Sequence, residues 1–232
     1  MFFTNTQTDA VTAGAPILAS SSAGWLRDAR EGLYPIGKRA LDILASGAGL
    51  LVLSPFFIIL AVMIRVESHG PVLFSQTRIG RRGRSFRCWK FRSMYIDAEE
   101  RKAALMADNE MAGGTTFKMK RDPRITRIGR FIRKASIDEL PQLWNVFIGD
   151  MSLVGPRPPV PAEVVLYSAL HRQRLSVKPG ITCIWQVSGR SDIPFEQQVE
   201  LDIEYIAKRT LWFDIKLLLA TVPAVLLARG AY

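Results

Sequence analysis

Two adjacent carboxylates, Asp138 and Glu139, follow a strongly basic run in the stretch RKASIDELPQLW. Carboxylates beside arginine and lysine can serve as nucleophiles or metal ligands, because the cations lower their pKa and keep them ionised. The same stretch is typical of a helix start, since Ser136 and Glu139 match a capping box for a helix over LPQLWNVF. The capping box needs only the carboxylate of Glu139, so it gives Asp138 no role. The stretch therefore predicts a capped helix whose start also presents Asp138 to phosphate groups.

Basic side chains surround this pair in the sequence. Eight of them lie between Lys118 and Lys134, against the single acid Asp122. Phosphate groups suit such a cluster, and anionic lipid headgroups are an equal alternative when the cluster is taken alone. Arg157 lies between prolines in GPRPPVP, on a stiff extended backbone that fixes where its guanidinium points, although it also fits an incidental surface loop. Arg190 in VSGR is a second loop arginine.

The chain of 232 residues carries 31 basic and 21 acidic side chains, a formal charge of +10. This length suits one domain with its own core. The charge favours nucleic acid, an anionic membrane surface or a phosphorylated substrate as the partner. A nucleic-acid partner is disfavoured by a 22-residue stretch without charge. Two cysteines, Cys88 and Cys183, are too few for a disulfide framework or a metal cluster, so we expect reduced, buried thiols.

The uncharged stretch, Ile43 to Ile64, predicts a membrane segment, because a helix of this length reaches about 33 Å, close to the thickness of a bilayer's hydrocarbon core. Ser54-Pro55 lies at its middle, where proline removes a backbone donor and Ser54 can hydrogen-bond the freed carbonyl, so a kink is expected. Both flanks are basic, and both therefore favour the cytoplasm. We expect a re-entrant helix over about residues 40–66 that enters and leaves one leaflet, with a bitopic kinked span and a buried core helix as the alternatives. The flanking cations are Lys38, Arg39, Arg65, Arg78, Arg81, Arg82 and Arg84.

The other segments predict a small α+β domain over residues 34–232 and a flexible arm over residues 1–33 that lacks the features of a secretory signal. The pieces VLFSQTR and SFRCWKFRS flank the turn IGRRGR and are typical of a β-hairpin. DAEERKAALMADNEM favours an exposed helix. The C-terminal stretch LWFDIKLLLATVPAVLLARGAY is too interrupted to span a bilayer, and it fits either a helix in the membrane interface or a core helix.

Seven motifs in fixed order resemble those of the bacterial sugar transferases, also called monotopic phosphoglycosyl transferases. They are KRALD, the Ser54-Pro55 pair, WKFRSM, DPRITRIGRFIRKASIDELPQLWNV, GDMSLVGPRP, VKPGIT and VSGR. The resemblance runs from about Lys38 almost to the end of the chain and corresponds to the short form of the family. It implies a monotopic membrane protein with a re-entrant helix, a small β-hairpin and amphipathic interfacial helices, at the cytoplasmic face of the bacterial inner membrane.

The resemblance also implies a reaction, in which a hexose 1-phosphate passes from a UDP-sugar to undecaprenyl phosphate and UMP is released. This is the first membrane step of exopolysaccharide, capsule or O-antigen synthesis, and galactose or glucose is the sugar we favour. By the same resemblance, Asp138 is the nucleophile that forms a phosphosugar-aspartate intermediate, Glu139 is its partner, and the pair holds Mg²⁺. The basic motif positions that imply phosphate or nucleotide binding are Lys90, Arg133, Arg157 and Arg190.

A non-catalytic, membrane-attached binder of phosphorylated lipids or partner proteins is the alternative function. The Asp138-Glu139 pair argues against it, because a site that only binds anions gains nothing from two acids at its centre. Membrane lipids are partners under either hypothesis, whereas a homo-oligomer and contacts with downstream glycosyltransferases are left open. The proline-rich GPRPPVP also leaves open the path of its loop.

Overall fold

The computed structural model of the chain describes residues 21–105, 122–189 and 192–226. Most of the predicted arm, part of the basic run and Arg190 lie outside the described residues. The residues from Gly37 onward belong to one compact unit, and every contact described below lies within it. The helices are α1 (Ser21–Glu67), α2 (Ala98–Leu105), α3 (Arg127–Lys134), α4 (Gln142–Ile148), α5 (Pro161–Val165), α6 (Ala169–Arg172), α7 (Ile184–Ser188), α8 (Phe195–Lys208) and α9 (Leu211–Leu226). The strands are β1 (Leu73–Ile79), β2 (Ser85–Phe91), β3 (Ser152–Val154) and β4 (Gly180–Thr182), so the predicted mixture of helix and sheet is confirmed.

Between Gly32 and Glu67, α1 is long and apolar enough to cross a membrane, and it is the one such helix among the described residues. Pro55 cannot donate a hydrogen bond to the carbonyl of Leu51, four residues earlier in the helix. The hydroxyl of Ser54 donates to that carbonyl instead, at 2.8 Å. The bond expected of Ser54 is therefore present, and the chain stays helical through the proline. The kink stays a prediction.

The middle of α1 is apolar and exposed. Leu51 and Val52 are 77% and 75% exposed, and Ile58 and Ile59 are 67% and 60% exposed. Only 11% of the most apolar 18-residue stretch of α1 is buried among the described residues. This exposure disfavours the alternative of a buried core helix. An exposed apolar patch of this size marks a contact with a membrane or another protein.

The predicted β-hairpin is confirmed, since β1 and β2 pair antiparallel with Leu73 opposite Phe91 and Ile79 opposite Ser85. The turn between them places Arg82 in the left-handed region, with a φ of 58°. A first core packs the hairpin against α3 and the last turns of α1; its buried members are Leu60, Ile64, Phe91 and Ile132.

A second core joins β2 to α4, β3, α8 and α9. Here β3 and β4 pair in parallel, with Ser152 opposite Gly180. α9 buries Leu217 in this core, as expected of a core helix, and leaves Trp212 63% exposed. A place for its exposed face in the membrane interface stays a prediction. The buried hydrophobic members of the second core are Cys88, Val146, Met151, Leu153, Val154, Tyr205 and Leu217.

Polar contacts tie the early part of α1 to the second core. The carboxylate of Asp42, which is 3% exposed, accepts hydrogen bonds from the Ser152 hydroxyl at 3.0 Å and from the Leu153 backbone at 2.9 Å. The ammonium of Lys38 lies 2.8 Å from the carboxylate of Asp214 on α9. Both ends of the exposed apolar segment are therefore anchored in the same compact unit.

Part of the basic run has a structural role. Arg124 lies 2.6 Å from Asp122, and both side chains are nearly buried, so neither is available to phosphate. A second buried pair joins Arg174 to Asp202 at 2.7 Å, and Arg174 also donates to the hydroxyl of Tyr167 at 2.9 Å. Charge counted along the sequence therefore overstates the charge that a ligand can reach.

Candidate active site

The turn that carries the two carboxylates is not the predicted capping box. Ser136 makes no capping hydrogen bond and lies in the left-handed region, with a φ of 54°, whereas a capping residue needs an extended backbone. Asp138 and Glu139 belong to a separate 3-10 turn, Ile137–Glu139, and α4 begins only at Gln142. Ser136 instead follows the last turn of α3, because its N–H donates to the carbonyl of Arg133 at 3.0 Å. The carboxylates therefore lie in a turn that contacts β2 rather than at the start of a helix.

Two cations hold the Glu139 carboxylate. Its Oε1 atom lies 2.5 Å from the ammonium of Lys90 and 3.8 Å from a guanidinium nitrogen of Arg157. Burial disfavours the charge on Glu139, but Lys90, Arg157 and Arg78 outweigh that effect and lower its pKa to about 2. Glu139 is therefore a fixed anion, ionised and paired at any physiological pH.

Asp138 is in a different state from its neighbour. Its side chain is 9% exposed, and its carboxylate accepts no hydrogen bond from any described residue. Burial, joined by the charge of Glu139, outweighs Lys90, Arg133 and Arg157 and raises its pKa to about 6. The expectation of a lowered pKa is therefore wrong for Asp138, because the turn is more buried than a helix start at the surface would be. At pH 7 about nine tenths of the group is still ionised, as a carboxylate that no residue in the described part of the chain hydrogen-bonds.

Glu139 lines a cleft between the hairpin and the proline loop, a name we give to residues 155–161. The hairpin register places Arg78, Cys88 and Lys90 on one face of the sheet, since Gln76 pairs with Cys88 and Phe74 with Lys90. The cleft wall includes Arg78, Cys88, Lys90, Gln142, Pro158 and Gln186. Of these, sequence reasoning chose only Lys90. Arg78 could have been found from the two-residue alternation of the paired strands, whereas no local pattern singles out Gln142.

The hairpin and β4 fix the proline loop that carries Arg157. Arg78 donates to the carbonyl of Pro158 at 2.9 Å, and the backbone N–H of Ile79 donates to the carbonyl of Pro159 at 2.9 Å. At the other end of the loop, a Cβ atom on Gly180 would collide with the backbone of Gly155, so only glycine fits there. These contacts set the loop path that the sequence left open and turn Arg157 towards Glu139.

The predicted phosphate-binding residues are distributed unevenly. Lys90 and Arg157 meet at Glu139, and Arg133 lies close enough to Asp138 to favour its charge. Arg190 lies outside the described residues. The cationic side of the site is therefore built by β2, the proline loop and the end of α3.

The carboxylate pair can be tested as a magnesium site. No described residues form a group of three or more His, Cys, Asp or Glu side chains that could hold a metal ion. Mg²⁺ in proteins commonly binds one or two carboxylates together with phosphates of the substrate. Asp138 and Glu139 offer such a pair, and Asp138 has no competing hydrogen bond from the described residues. The donor set fits an ion that is shared with a phosphorylated substrate.

Comparisons with known proteins agree with this chemistry. A family model described as bacterial sugar transferase matches residues 33–228. The chain is 52% identical over 197 residues to the galactosyl transferase CpsE of Streptococcus agalactiae serotype III, covering 84% of this chain and 43% of that protein. It is 46% identical over 198 residues to the undecaprenyl-phosphate galactose phosphotransferase of Salmonella typhimurium, covering 84% and 41%. Over 220 residues it is 38% identical to the exopolysaccharide production protein ExoY of Rhizobium meliloti, covering 92% and 97%. The chain thus spans less than half the length of the first two relatives and nearly all of the third.

Proposed function

The chain belongs to the bacterial sugar transferase family, and from that premise we propose that it transfers a hexose 1-phosphate from a UDP-sugar to undecaprenyl phosphate, releasing UMP. The observation that carries the proposal is the contrast within one pair of acids. Glu139 is clamped by Lys90 at 2.5 Å, whereas Asp138 is buried and free of hydrogen bonds from the described residues. A nucleophile must be ionised and must keep a carboxylate oxygen that no protein group holds, and among the described residues Asp138 meets both conditions at pH 7.

In the first step, a carboxylate oxygen of Asp138 attacks the phosphorus that carries the sugar. The new bond joins Asp138 to that phosphorus, the diphosphate bridge breaks, and UMP leaves with the bridging oxygen. In the second step, an oxygen of the lipid phosphate attacks the same phosphorus, and the bond to Asp138 breaks to restore the carboxylate. The products are the lipid diphosphate sugar and UMP, and neither step needs a net proton transfer.

The surrounding cations make this attack feasible. Both substrates are anionic, so an anionic nucleophile can approach phosphorus only where positive charge offsets the repulsion. Lys90, Arg133 and Arg157 supply that charge, and we assign Arg190 to the same role from its motif. Magnesium, held by Asp138 and Glu139 with the donor phosphates, would add Lewis-acid stabilisation of the transferred charge.

We place the reaction at the cytoplasmic face of the bacterial inner membrane. The exposed apolar segment of α1 lies between two anchored flanks, Asp42 on one side and Ile64 on the other. A helix that returned to its starting side would produce this arrangement, and basic residues on both flanks favour the cytoplasm. Monotopic insertion brings the lipid acceptor and the soluble donor to one surface. On α4, Trp144 and Ile148 are 48% and 49% exposed and suit the interface of the same leaflet.

The names of the relatives reduce the number of UDP-sugars to be tested as the donor. Two of the three names concern galactose and the third concerns exopolysaccharide production, so UDP-galactose is the first donor to test. UDP-glucose, the other donor favoured from the sequence, is the second. The alternative function, a non-catalytic binder of phosphorylated lipids, is disfavoured because burying an unpaired carboxylate opposes the binding of anions.

The test is a single-turnover reaction without lipid. Purified protein, Mg²⁺ and each of a panel of UDP-sugars are combined, and UMP release and intact mass are measured for the wild type, Asp138→Asn and the control Asp192→Asn, which changes an exposed carboxylate. We expect a sugar-phosphate adduct and stoichiometric UMP in the wild type and the control, and neither in Asp138→Asn. Donor binding without UMP across a panel that includes galactose, glucose and N-acetylated hexoses would favour the binder.

A further inference from the structure

Gln142 has a role in the candidate site that no motif around it in the sequence indicates. We infer that its side-chain amide binds the donor substrate, donating a hydrogen bond to an oxygen of the transferred phosphoryl group. The inference rests on the proposed function, because it names a further contact in the same site.

Gln142 is largely buried as a residue, yet its side-chain amide reaches the cleft and has no hydrogen-bond partner among the described residues. The residue is 4% exposed and lines the cleft beside Glu139 and Lys90. No described residue hydrogen-bonds to its side chain. A side-chain amide has two donors and two acceptor positions to satisfy, and those of Gln142 face the cleft rather than another described side chain. A bound molecule in the cleft is the partner that this wall of the site provides for.

Packing of α4 does not explain the residue. Asn145, one turn further along the helix, makes the hydrogen bonds that dock α4. The Asn145 amide accepts from the backbone of Trp89 at 3.0 Å and donates to the carbonyl of Arg87 at 2.7 Å, which docks α4 on β2. Gln142 makes no comparable bond to any residue that the structure describes, although it is nearly as buried. The helix is therefore held without it, and its amide stays available to the cleft.

The charges around the cleft indicate which half of the amide is used. Arg78, Lys90 and Arg157 line this space against the single carboxylate of Glu139, so positive charge is in excess and favours an anionic group. An anion accepts hydrogen bonds, and the amide therefore presents its Nε2 atom. Lys90 is already engaged by Glu139 at 2.5 Å. A neutral donor beside that pair adds a contact to phosphate without weakening the clamp on Glu139.

Two substitutions of similar shape separate this role from its alternatives. Gln142→Met removes both hydrogen-bonding atoms, and loss of one hydrogen bond to a charged group is expected to lower kcat/KM for the UDP-sugar about 10- to 100-fold. Gln142→Glu replaces the donor by a negative charge and is expected to lose more than Gln142→Met. Its deficit relative to the wild type at the same pH is expected to narrow as the pH falls towards 5 and the new carboxyl takes up a proton. A contact to a sugar hydroxyl would give the opposite order, because a carboxylate accepts from a hydroxyl, and that order would overturn the inference.

The same variants are compared by thermal unfolding and by binding of UDP, with Gln197→Met and Gln197→Glu on the exposed side of α8 as matched controls. We expect unfolding temperatures close to the wild type and weaker UDP binding only for the Gln142 pair. Wild-type kinetics in both Gln142 variants would refute the inference and leave the proposed function intact. Absence of UMP release from wild-type protein with every donor would count against the proposed function itself.

Discussion

Asparagine at position 138 is expected to make the folded protein more stable at neutral pH while abolishing UMP release. Asp138 is 9% exposed, and its pKa is raised from 3.8 to about 6. An acid whose pKa is higher in the folded chain than in the unfolded chain holds its proton more tightly when folded, so its ionisation at neutral pH costs stability. Asparagine has nearly the same shape and cannot ionise.

The size of the effect follows from that shift. A change of about two pKa units corresponds to about 3 kcal/mol at pH 7, where the group is ionised in both states. The cost is absent below about pH 3.8, grows between about pH 3.8 and 6, and is constant above that range. At pH 5 about half of it remains. For a chain of this size, about 3 kcal/mol corresponds to a rise of about 6 to 12 °C in the unfolding temperature.

The assay is thermal unfolding of wild type, Asp138→Asn and Asp192→Asn in lipid nanodiscs at pH 7.5, 5 and 4. We expect a gain for Asp138→Asn that halves at pH 5 and falls to about a fifth at pH 4, and no gain for the exposed control. Equal or lower stability of Asp138→Asn at pH 7.5, or a gain that does not depend on pH, would refute the account of Asp138 as a carboxylate ionised against its surroundings.

Three further predictions concern the reaction, the core and the membrane. UMP release by the wild type is expected to fall about tenfold for each pH unit below about 6, since Asp138 must be ionised, and a flat profile between pH 4.5 and 7 would exclude it as the nucleophile. Arg174→Met leaves the buried Asp202 without its cation, so that folding must bury its charge or protonate it, and denaturant unfolding should show a loss of about 3 to 5 kcal/mol, largely recovered by adding Asp202→Leu; a loss below about 1 kcal/mol would contradict the pairing. Single cysteines at Ala40 and Arg84, read against the buried Cys88 and Cys183, should both react with an impermeant maleimide only after the inner membrane is opened, whereas labelling of Ala40 from the periplasm would establish a bitopic span.

Local patterns predicted much of the fold. The alternation around IGRRGR identified the hairpin, and the uncharged stretch identified the long apolar helix. The capping box predicted at Ser136 is not formed, and the reason is physical. A capping box is a pattern of two side chains, whereas the outcome depends on where α3 ends and on the backbone of Ser136, which the pattern does not contain. Burial of Asp138 depends on packing against distant strands, so the sign of its pKa shift could not be read from its charged neighbours.

The sequence pointed to those residues of the candidate site whose type is itself reactive or charged, and it did not point to the others. Asp138, Glu139 and the arginine of the proline loop stand out by residue type. Arg78 acts through a carbonyl 80 positions away, at Pro158, and Gln142 stands out only because a nearby asparagine already does the work of docking the helix. Contacts of this kind depend on tertiary structure and leave no local trace.

The bonds of Asp42 bear on how this protein can be engineered. Its carboxylate accepts hydrogen bonds from Ser152 and Leu153, five and four residues before Arg157, and the same helix contributes Leu60 and Ile64 to a core. A truncation that removed the apolar helix to obtain a water-soluble enzyme would strip the catalytic part of two of its own supports. Solubility has to be sought by exchanging the exposed residues around Leu51 and Ile58 for polar ones, with the helix kept in place. The anchor and the enzyme cannot be separated by cutting the chain.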